Sequence, residues 1–254
     1  MNVDIAHDPA ELGRRAGARA ITLLKQALEG GRRATLIVAT GTSQYAILDT
    51  LVAAPGIAWE RVDAFHLDEY VGIPDSHPAS FRKYLRERFA GRLPKLGSFN
   101  YVGGDAQDPH AECLRLAGLL KGRTVDVGLI GIGENGHLAF NDPPADFNTK
   151  AIYHVVPLDE ACQKQQVGEG WFPSMAAVPK TAISMTIPAI MAFKSIVCSV
   201  PDVRKAAAVK GSVEGPLSPR CPGSILRQHP DCTLFLDRGA ASTLKPSSTS
   251  QKGA

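Results

Sequence analysis

The sequence predicts an α/β fold with a mostly parallel sheet that is covered by helices on both faces. Two observations support this prediction. Short continuous apolar runs, typical of buried strands, recur along the chain, and segments with helical periodicity alternate with them. The length of 254 residues and the hydrophobic fraction of 44% suffice for one large domain with a full core.

The individual elements follow from local signals. Apolar positions at helical spacing predict a helix over 10–29, which ends at Gly30 and Gly31, residues common at helix C-termini. Pro78 suits the first turn of a helix over 78–89. The same reasoning predicts strands at 34–39, 61–67, 125–130, 151–158, 195–200 and 232–237, and helices after Ser43 and at 109–120, 159–168 and 202–213.

The chain shows no internal repeat and no linker that would divide it. We therefore expect a single domain over 1–238. From Gly239 onward the composition turns to Ser, Thr, Lys, Pro and Gly, which predicts a disordered tail over 239–254.

Composition excludes several classes of protein. A formal charge of +3 gives no reason to expect a nucleic acid or a membrane as partner, although a mild positive bias suits an anionic metabolite. No apolar run approaches the roughly 18 residues of a membrane span, and no signal-peptide core is present, so we expect a cytoplasmic protein. The cysteines have no metal-ligand spacing and are expected to be small apolar residues: Cys113, Cys162, Cys198, Cys221 and Cys232.

The most informative segment is the glycine-rich run from Gly131 to Pro143, directly after a predicted strand. Ligands of α/β proteins bind beyond the carboxyl ends of parallel strands, so polar residues there favour chemistry. His137 lies in this run, with Asp142 five residues later. A carboxylate that accepts from one imidazole nitrogen would fix the tautomer and raise the basicity of the other nitrogen. The alternative is a tight turn with a capping asparagine.

The glycines at 131, 133 and 136 fit the dinucleotide-binding pattern GxGxxG. That pattern requires a helix to begin at its third glycine, so that the helix N-terminus can bind the pyrophosphate. The run Asn141-Asp-Pro-Pro144 would break such a helix within two turns. The sequence therefore argues against NAD or FAD.

Asp68 and Glu69 follow another predicted strand and are adjacent. On an extended backbone they point to opposite faces, so that one can face a cleft while the other anchors the loop. The alternative is a solvated strand end.

The run Thr40-Gly-Thr-Ser43 lies between a predicted strand and a helix. Its hydroxyls and backbone N–H groups favour an anion site, with Lys205 as a second contact from another strand end. An ordinary helix cap and a solvent-facing lysine are the alternatives.

Together these motifs resemble the glucosamine-6-phosphate deaminase family, which is related to 6-phosphogluconolactonases. The likeness covers about 10–237 and rests on segments in the right order: Ala39–Ser43, Leu67–Gly72, His77–Ser80, Gly131–Pro143, Lys205 and Val213–Gly215. The resemblance implies a modified Rossmann-like fold and a phosphorylated amino sugar as substrate.

The resemblance also implies roles. Asp68 matches the proton-transferring base and His137 the ring-opening acid/base. Asn135 and Asp142 match the positions that flank this histidine, where the family has Asp or Asn and usually Glu, so Asp142 is one methylene shorter than the common residue. Thr42, Ser43 and Lys205 match the phosphate site. The neighbouring motif residues are expected to contact substrate as well: Thr40, Gly41, Glu69 and Gly136.

One departure concerns the phosphate. Where many members have an arginine, this chain has Gln166, which offers no charge and no bidentate pair. Three explanations remain open: phosphate affinity is lower, Lys164 or Arg204 compensates, or the substrate differs.

The expected reaction converts glucosamine 6-phosphate to fructose 6-phosphate and ammonia, without metal or organic cofactor. Because water releases the ammonia, we expect a hydrolase that also isomerises an aldose to a ketose. Alternatives are a 6-phosphogluconolactonase, whose branch lacks both Phe140–Pro143 and the Asp68-Glu69 pair, a non-catalytic sugar-phosphate sensor, and a deaminase of galactosamine 6-phosphate. The resemblance also makes a homo-oligomer plausible.

Overall fold

This computed structural model describes residues 1–246, which contain ten strands and seven α-helices. The strands are β1 (Asn2–Ala6), β2 (Ala34–Val38), β3 (Val62–His66), β4 (Asp68–Tyr70), β5 (Ser98–Asn100), β6 (Val127–Ile130), β7 (Tyr153–Pro157), β8 (Thr181–Met185), β9 (Ser195–Val200) and β10 (Cys232–Asp237). The helices are α1 (Pro9–Ala27), α2 (Tyr45–Ala53), α3 (Phe81–Arg88), α4 (Pro109–Leu120), α5 (Glu160–Gly168), α6 (Ile187–Met191) and α7 (Ala206–Glu214).

Seven strands form one sheet in the order β1-β10-β9-β6-β2-β3-β5, and every neighbouring pair in it is parallel. The predicted mostly parallel sheet is therefore confirmed. The chain runs outward in opposite directions from the centre, because β2 pairs with β3 on one side and with β6 on the other. Such a reversal of strand order opens a crevice at the carboxyl ends of the strands where it occurs, here β2 and β6.

Helices cover both faces of this sheet, as the continuous apolar runs require. In β2, Leu36 and Val38 pack into the core cluster formed with α1 and α2, whereas Ile37 packs into the opposite cluster with residues of α4, α6 and α7. Successive side chains of a strand point to opposite faces, so a strand covered on both sides must be apolar at every position.

Among the helices described in residues 1–246, none combines the length and the apolar character that a membrane span requires.

A second, three-stranded sheet was not predicted. It is antiparallel, in the order β4-β8-β7, and it contains the predicted strand at 151–158, which therefore lies outside the parallel sheet. Leu67 joins the two sheets, because its N–H donates to Val38 O and its carbonyl accepts from Met185 N. An apolar run predicts a strand but does not specify which sheet the strand joins.

Two helices begin later than predicted. The helix expected at 78–89 starts at Phe81, because the Ser80 hydroxyl caps it by accepting from Lys83 N, and Pro78 precedes the cap. The helix expected at 202–213 starts with a 3₁₀ turn, Val203–Lys205, and becomes α-helical only at α7.

The expected disorder does not begin at 239. Residues 239–246 turn back onto the fold: Ala240 is fully buried, its N–H donates to Asp237 Oδ1, and the Thr243 hydroxyl donates to Ala206 O. Polar composition misled the prediction here, because a few backbone contacts to buried acceptors hold this short segment in place. The rest of the expected tail, 247–254, lies outside the described residues.

Candidate active site

One cavity of about 300 Å³ lies at the carboxyl ends of β2, β3, β6 and β9. The sequence predicts candidate residues at all four strand ends, and the fold brings seven of them to this cavity: Thr40, Gly41, Thr42, Ser43, Asp68, His137 and Lys205. The other four candidates, Glu69, Asn135, Gly136 and Asp142, do not line it. The contacts that each of these four residues makes instead are described below.

Asp68 is the buried carboxyl of the cavity. It is the first residue of β4, its side chain faces the space between the two sheets, and it makes no hydrogen bond to another described side chain. Burial, together with the charge of Glu69, raises the pKa of Asp68 to about 8. A carboxyl group with such a pKa can take and return protons near neutral pH.

Glu69 points the opposite way, as the alternation along a strand requires. Its carboxylate accepts from the Ser80 hydroxyl at 3.0 Å, from Phe81 N at 3.2 Å and from Arg82 N at 2.8 Å, so it binds the first turn of α3. Burial raises the pKa of Glu69 to about 7, although these hydrogen bonds act to lower it. Of the two adjacent carboxylates, Glu69 is thus the one that anchors the neighbouring chain. It does not line the cavity, and its contact with substrate stays a prediction.

His137 and Asp142 form a pair. Nδ1 of His137 lies 3.0 Å from Oδ1 of Asp142, and His137 lines the cavity. Burial acts to raise the pKa of Asp142, but the contact with His137 and its charge outweigh burial and lower this pKa. The shorter side chain thus still reaches the imidazole.

Asn135 holds this pair in place without touching the cavity. Its Nδ2 donates to Asp142 Oδ1 at 3.0 Å, and its Oδ1 accepts from His137 N at 3.1 Å. The second oxygen of Asp142 accepts from Asp159 N at 3.0 Å. With its carboxylate held on both oxygens, Asp142 fixes the orientation of the ring.

Two glycines of the same run have distinct structural roles. The His137 ring packs so closely on Gly133 that a Cβ there would lie 2.2 Å from the ring. Gly136 has a φ of 87°, and its added Cβ would lie 3.2 Å from Cys221 Sγ, away from the cavity. Gly136 therefore shapes the turn and does not line the cavity, and its contact with substrate stays a prediction. No helix follows it, in agreement with the argument against a dinucleotide.

Within residues 1–246, one group of three side chains could offer ligand atoms to a metal ion. It consists of His137, Asp142 and Cys162, whose atoms lie within 4.8 Å of one another. Cys162 lies in α5, and its spacing from the other two residues in the sequence does not indicate that the three come together. Burial raises the pKa of this thiol far above its usual range, so it stays protonated and is a poor ligand. The absence of a metal stays a prediction.

The opposite end of the cavity is built from the segment Thr40–Ser43. Gly41 has a φ of 93°, a backbone conformation that favours glycine, and a 3₁₀ turn, Thr42–Gln44, leads into α2. The first N–H groups of such a turn have no partner within it. The Ser43 carbonyl accepts from the Ser199 hydroxyl at 3.0 Å, which links this segment to β9. Hydroxyls and N–H groups here suit an anion.

Lys205 lies at the same end but is not free. It is buried, and burial lowers its pKa although neighbouring carboxylates act to raise it. Its Nζ lies 3.5 Å from Glu169 and 3.8 Å from Glu134. Neither glutamate could be identified from the sequence, because no local motif marks it and only the fold brings both of them to Lys205.

The three residues that bear on the missing arginine have different positions. Gln166 is buried, lines the cavity and accepts from the Tyr70 hydroxyl. Lys164 is mostly exposed, pairs with Glu160 and does not line the cavity. Arg204 lines the cavity, so of the two cations considered it is the one placed to compensate.

The chain matches, over residues 7–235, the family described as glucosamine-6-phosphate isomerases/6-phosphogluconolactonase. The chain belongs to this family. A glucosamine-6-phosphate deaminase of Lactobacillus delbrueckii subsp. bulgaricus is 36% identical over 245 residues, which cover 96% of this chain and 100% of that protein. The corresponding enzyme of Oenococcus oeni is 33% identical and covers 96% and 99%.

Solved structures agree with this membership. A glucosamine-6-phosphate deaminase described as monomeric superposes with a TM-score of 0.86 at 32% identity, covering 96% of this chain and all of that one. The 6-phosphogluconolactonase of Trypanosoma brucei has a TM-score of 0.76 at 18% identity, covering 96% and 98%. At that identity the likeness concerns the fold alone. The modified Rossmann-like prediction is confirmed.

Proposed function

We propose that this family member is a glucosamine-6-phosphate deaminase, which releases fructose 6-phosphate and ammonia. One observation carries the proposal most directly: the buried Asp68 carboxyl and the His137–Asp142 pair face a cavity whose other end holds Thr40–Ser43 and Lys205. The same cavity thus holds groups suited to proton transfer and groups suited to an anion. The deaminases at 33–36% identity support the same substrate.

His137 would open the sugar ring. The proton at C2 of the closed sugar is not acidic, so an aldehyde at C1 must form first. His137 lines the cavity with its Nδ1 3.0 Å from Asp142 Oδ1, and through its other ring nitrogen it would move the proton between O1 and O5. Asn135 acts through Asp142 and is a positioning residue rather than a catalytic one.

Asp68 would then take the proton from C2, now α to a carbonyl, and return it to C1. As the C2 ammonium group gives up one proton and O1 gains one, the aldehyde carbon becomes a hydroxymethyl group and C2 becomes a protonated ketimine. Water adds to this ketimine and displaces ammonia, which is the hydrolytic part of the reaction. The absence of hydrogen-bond partners among the described side chains leaves both oxygens of Asp68 available for this transfer.

The phosphate would bind at Thr40–Ser43 and Lys205. We expect Lys205→Ala to raise KM for glucosamine 6-phosphate about 30-fold or more with little change in kcat. The contact between Lys205 and the phosphate at C6 is remote from the reacting carbons C1 and C2 of the sugar. KM for unphosphorylated glucosamine should stay unchanged. Steady-state kinetics with both sugars tests this. A loss confined to kcat would remove Lys205 from the phosphate site.

The activity assay measures ammonia and ketose phosphate together. Purified protein is incubated with glucosamine 6-phosphate, galactosamine 6-phosphate or 6-phosphogluconolactone. We expect equimolar ammonia and fructose 6-phosphate from the first substrate. Turnover of the lactone alone would favour the lactonase, and binding of all three without turnover would favour a sensor. Preferential release of ammonia from galactosamine 6-phosphate would show that the enzyme prefers the other stereochemistry at C4, with the same reaction.

Two further expectations concern the cellular location and the oligomeric state of the enzyme. We propose a cytoplasmic location, because phosphorylated sugars are charged and do not cross a bilayer unaided. The homo-oligomer stays a prediction, and the solved deaminase at 32% identity is described as monomeric. Light scattering on the purified protein decides between one subunit and several.

A further inference from the structure

Glu169 occupies an unusual place for a carboxylate. It follows α5 directly, it is nearly buried with a side chain that is 9% exposed, and it lines the cavity at the end that would receive phosphate. Its Oε1 lies 3.5 Å from Lys205 Nζ. A phosphate oxygen that bonds to this ammonium group lies roughly 3 Å from Nζ, and so within a few ångströms of Glu169.

Neighbouring side chains hold the Glu169 carboxylate in this position. Gln165 Nε2 donates to its Oε1 at 2.8 Å, and Trp171 Nε1 donates to its Oε2 at 3.1 Å. The other end of the Gln165 amide accepts from Glu134 N at 3.0 Å, which ties the network to the glycine-rich run. Glu169 is therefore a fixed part of the cavity wall.

At this end of the cavity three carboxylates surround two cations. Lys205 pairs with Glu169 and Glu134, whereas Arg204 lies 3.7 Å from Glu134 and 3.0 Å from Asp202. Both cations that line the cavity are thus matched by carboxylates before any ligand enters. A sugar phosphate carries a charge of about −1.5 to −2 at pH 7, so it must displace a carboxylate from Lys205 or bind beside one.

We propose that Glu169 is a specificity-determining residue that competes with the substrate's phosphate for Lys205. It weakens the binding of a phosphate dianion relative to a sugar that ends in an uncharged hydroxymethyl group. This inference rests on the proposed function, because it assumes that the phosphate binds at Thr40–Ser43 and Lys205. A carboxylate near the bound anion acts as a repulsive element in substrate selection.

The competing role for Glu169 is to position Lys205. In that case its removal would leave the lysine disordered or partly neutral, and phosphate would bind more weakly. The two roles predict opposite signs for the same substitution. Glu169→Gln keeps the size of the side chain and removes its charge. Its amide oxygen can still accept from Gln165 Nε2 or from Trp171 Nε1, but not from both.

The test compares the wild type with Glu169→Gln in two measurements. In steady-state kinetics, KM for glucosamine 6-phosphate should fall about tenfold in Glu169→Gln, whereas KM for unphosphorylated glucosamine should not change. In isothermal titration calorimetry, the Kd of inorganic phosphate should fall by a similar factor. The control is Glu160→Gln, the same substitution on an exposed residue of α5 that pairs with Lys164 outside the cavity, which should change neither quantity.

Each other outcome contradicts a specific claim. Weaker phosphate binding by Glu169→Gln, or an equal change of KM for both sugars, would overturn the competition. Tighter phosphate binding by Glu169→Gln without turnover of either sugar by the wild type would refute the deaminase and leave the role of Glu169 intact.

Discussion

Asp68→Asn should lower kcat for glucosamine 6-phosphate by about 10²–10⁴-fold while inorganic phosphate still binds with its wild-type Kd. Asparagine keeps the size of the side chain but cannot take the proton from C2. The anion end of the cavity lies at other strand ends and is not altered. Stopped and continuous ammonia assays give kcat, and calorimetry with phosphate gives the Kd.

The same substitution should stabilise the fold at alkaline pH. Burial raises the pKa of Asp68 from the ordinary value of 3.8 to about 8, so the unfolded chain ionises this group more readily than the folded protein does. The stability of the wild type relative to Asp68→Asn is therefore greatest below the ordinary pKa. It falls as pH rises and reaches its lower limit above about pH 8.

Thermal unfolding measured between pH 5 and pH 9 tests this sign. The Tm difference in favour of Asp68→Asn should grow with pH and level off above about 8. Asp75→Asn, at a half-buried residue that pairs with Arg86 outside the cavity, serves as the control and should change neither kcat nor this pH dependence. An inactive but less stable Asp68→Asn at pH 9 would indicate misfolding, and full activity would exclude Asp68 as the base.

Five of the seven strands of the large sheet could be predicted from the sequence because their signals are local, whereas the edge strands β1 and β5 were not predicted. The strands at 195–200 and 232–237 and the helix at 109–120 have the predicted bounds, since apolar runs and a proline at a helix start specify them without reference to distant residues. The small sheet could not be predicted. β4 has only three residues, and its partner β8 lies far along the chain, so pairing depends on long-range contacts.

The same division applies to the candidate site. Asp68, His137 and Thr40–Ser43 were found because each follows a strand, and the carboxyl ends of parallel strands share one edge. Adjacency suggested that one of Asp68 and Glu69 faces a cleft, but not which one; the hydrogen bonds of Glu69 to α3 settle that. Glu134 and Glu169 escaped notice because their roles arise from the position of Lys205.

His137→Gln should lower kcat for glucosamine 6-phosphate by about 10²–10⁴-fold, yet leave the later steps intact. Glutamine fills similar space beside Gly133 but cannot shuttle a proton between O1 and O5. A substrate that never forms the pyranose ring should therefore escape the defect. 5-Deoxyglucosamine 6-phosphate lacks the O5 hydroxyl, so His137 has no pyranose ring to open in it.

The decisive quantity is the ratio of kcat for wild type and variant on each of the two substrates. We expect a large ratio with glucosamine 6-phosphate and a ratio within about tenfold with the 5-deoxy analogue, because Asp68 still transfers the C2 proton. His110→Gln, an exposed histidine on α4, should give ratios near one. Equal losses on both substrates would place His137 in the proton transfer or in the release of ammonia. Since Asp142 and Asn135 orient the ring, such a result would assign the whole glycine-rich run to that later step.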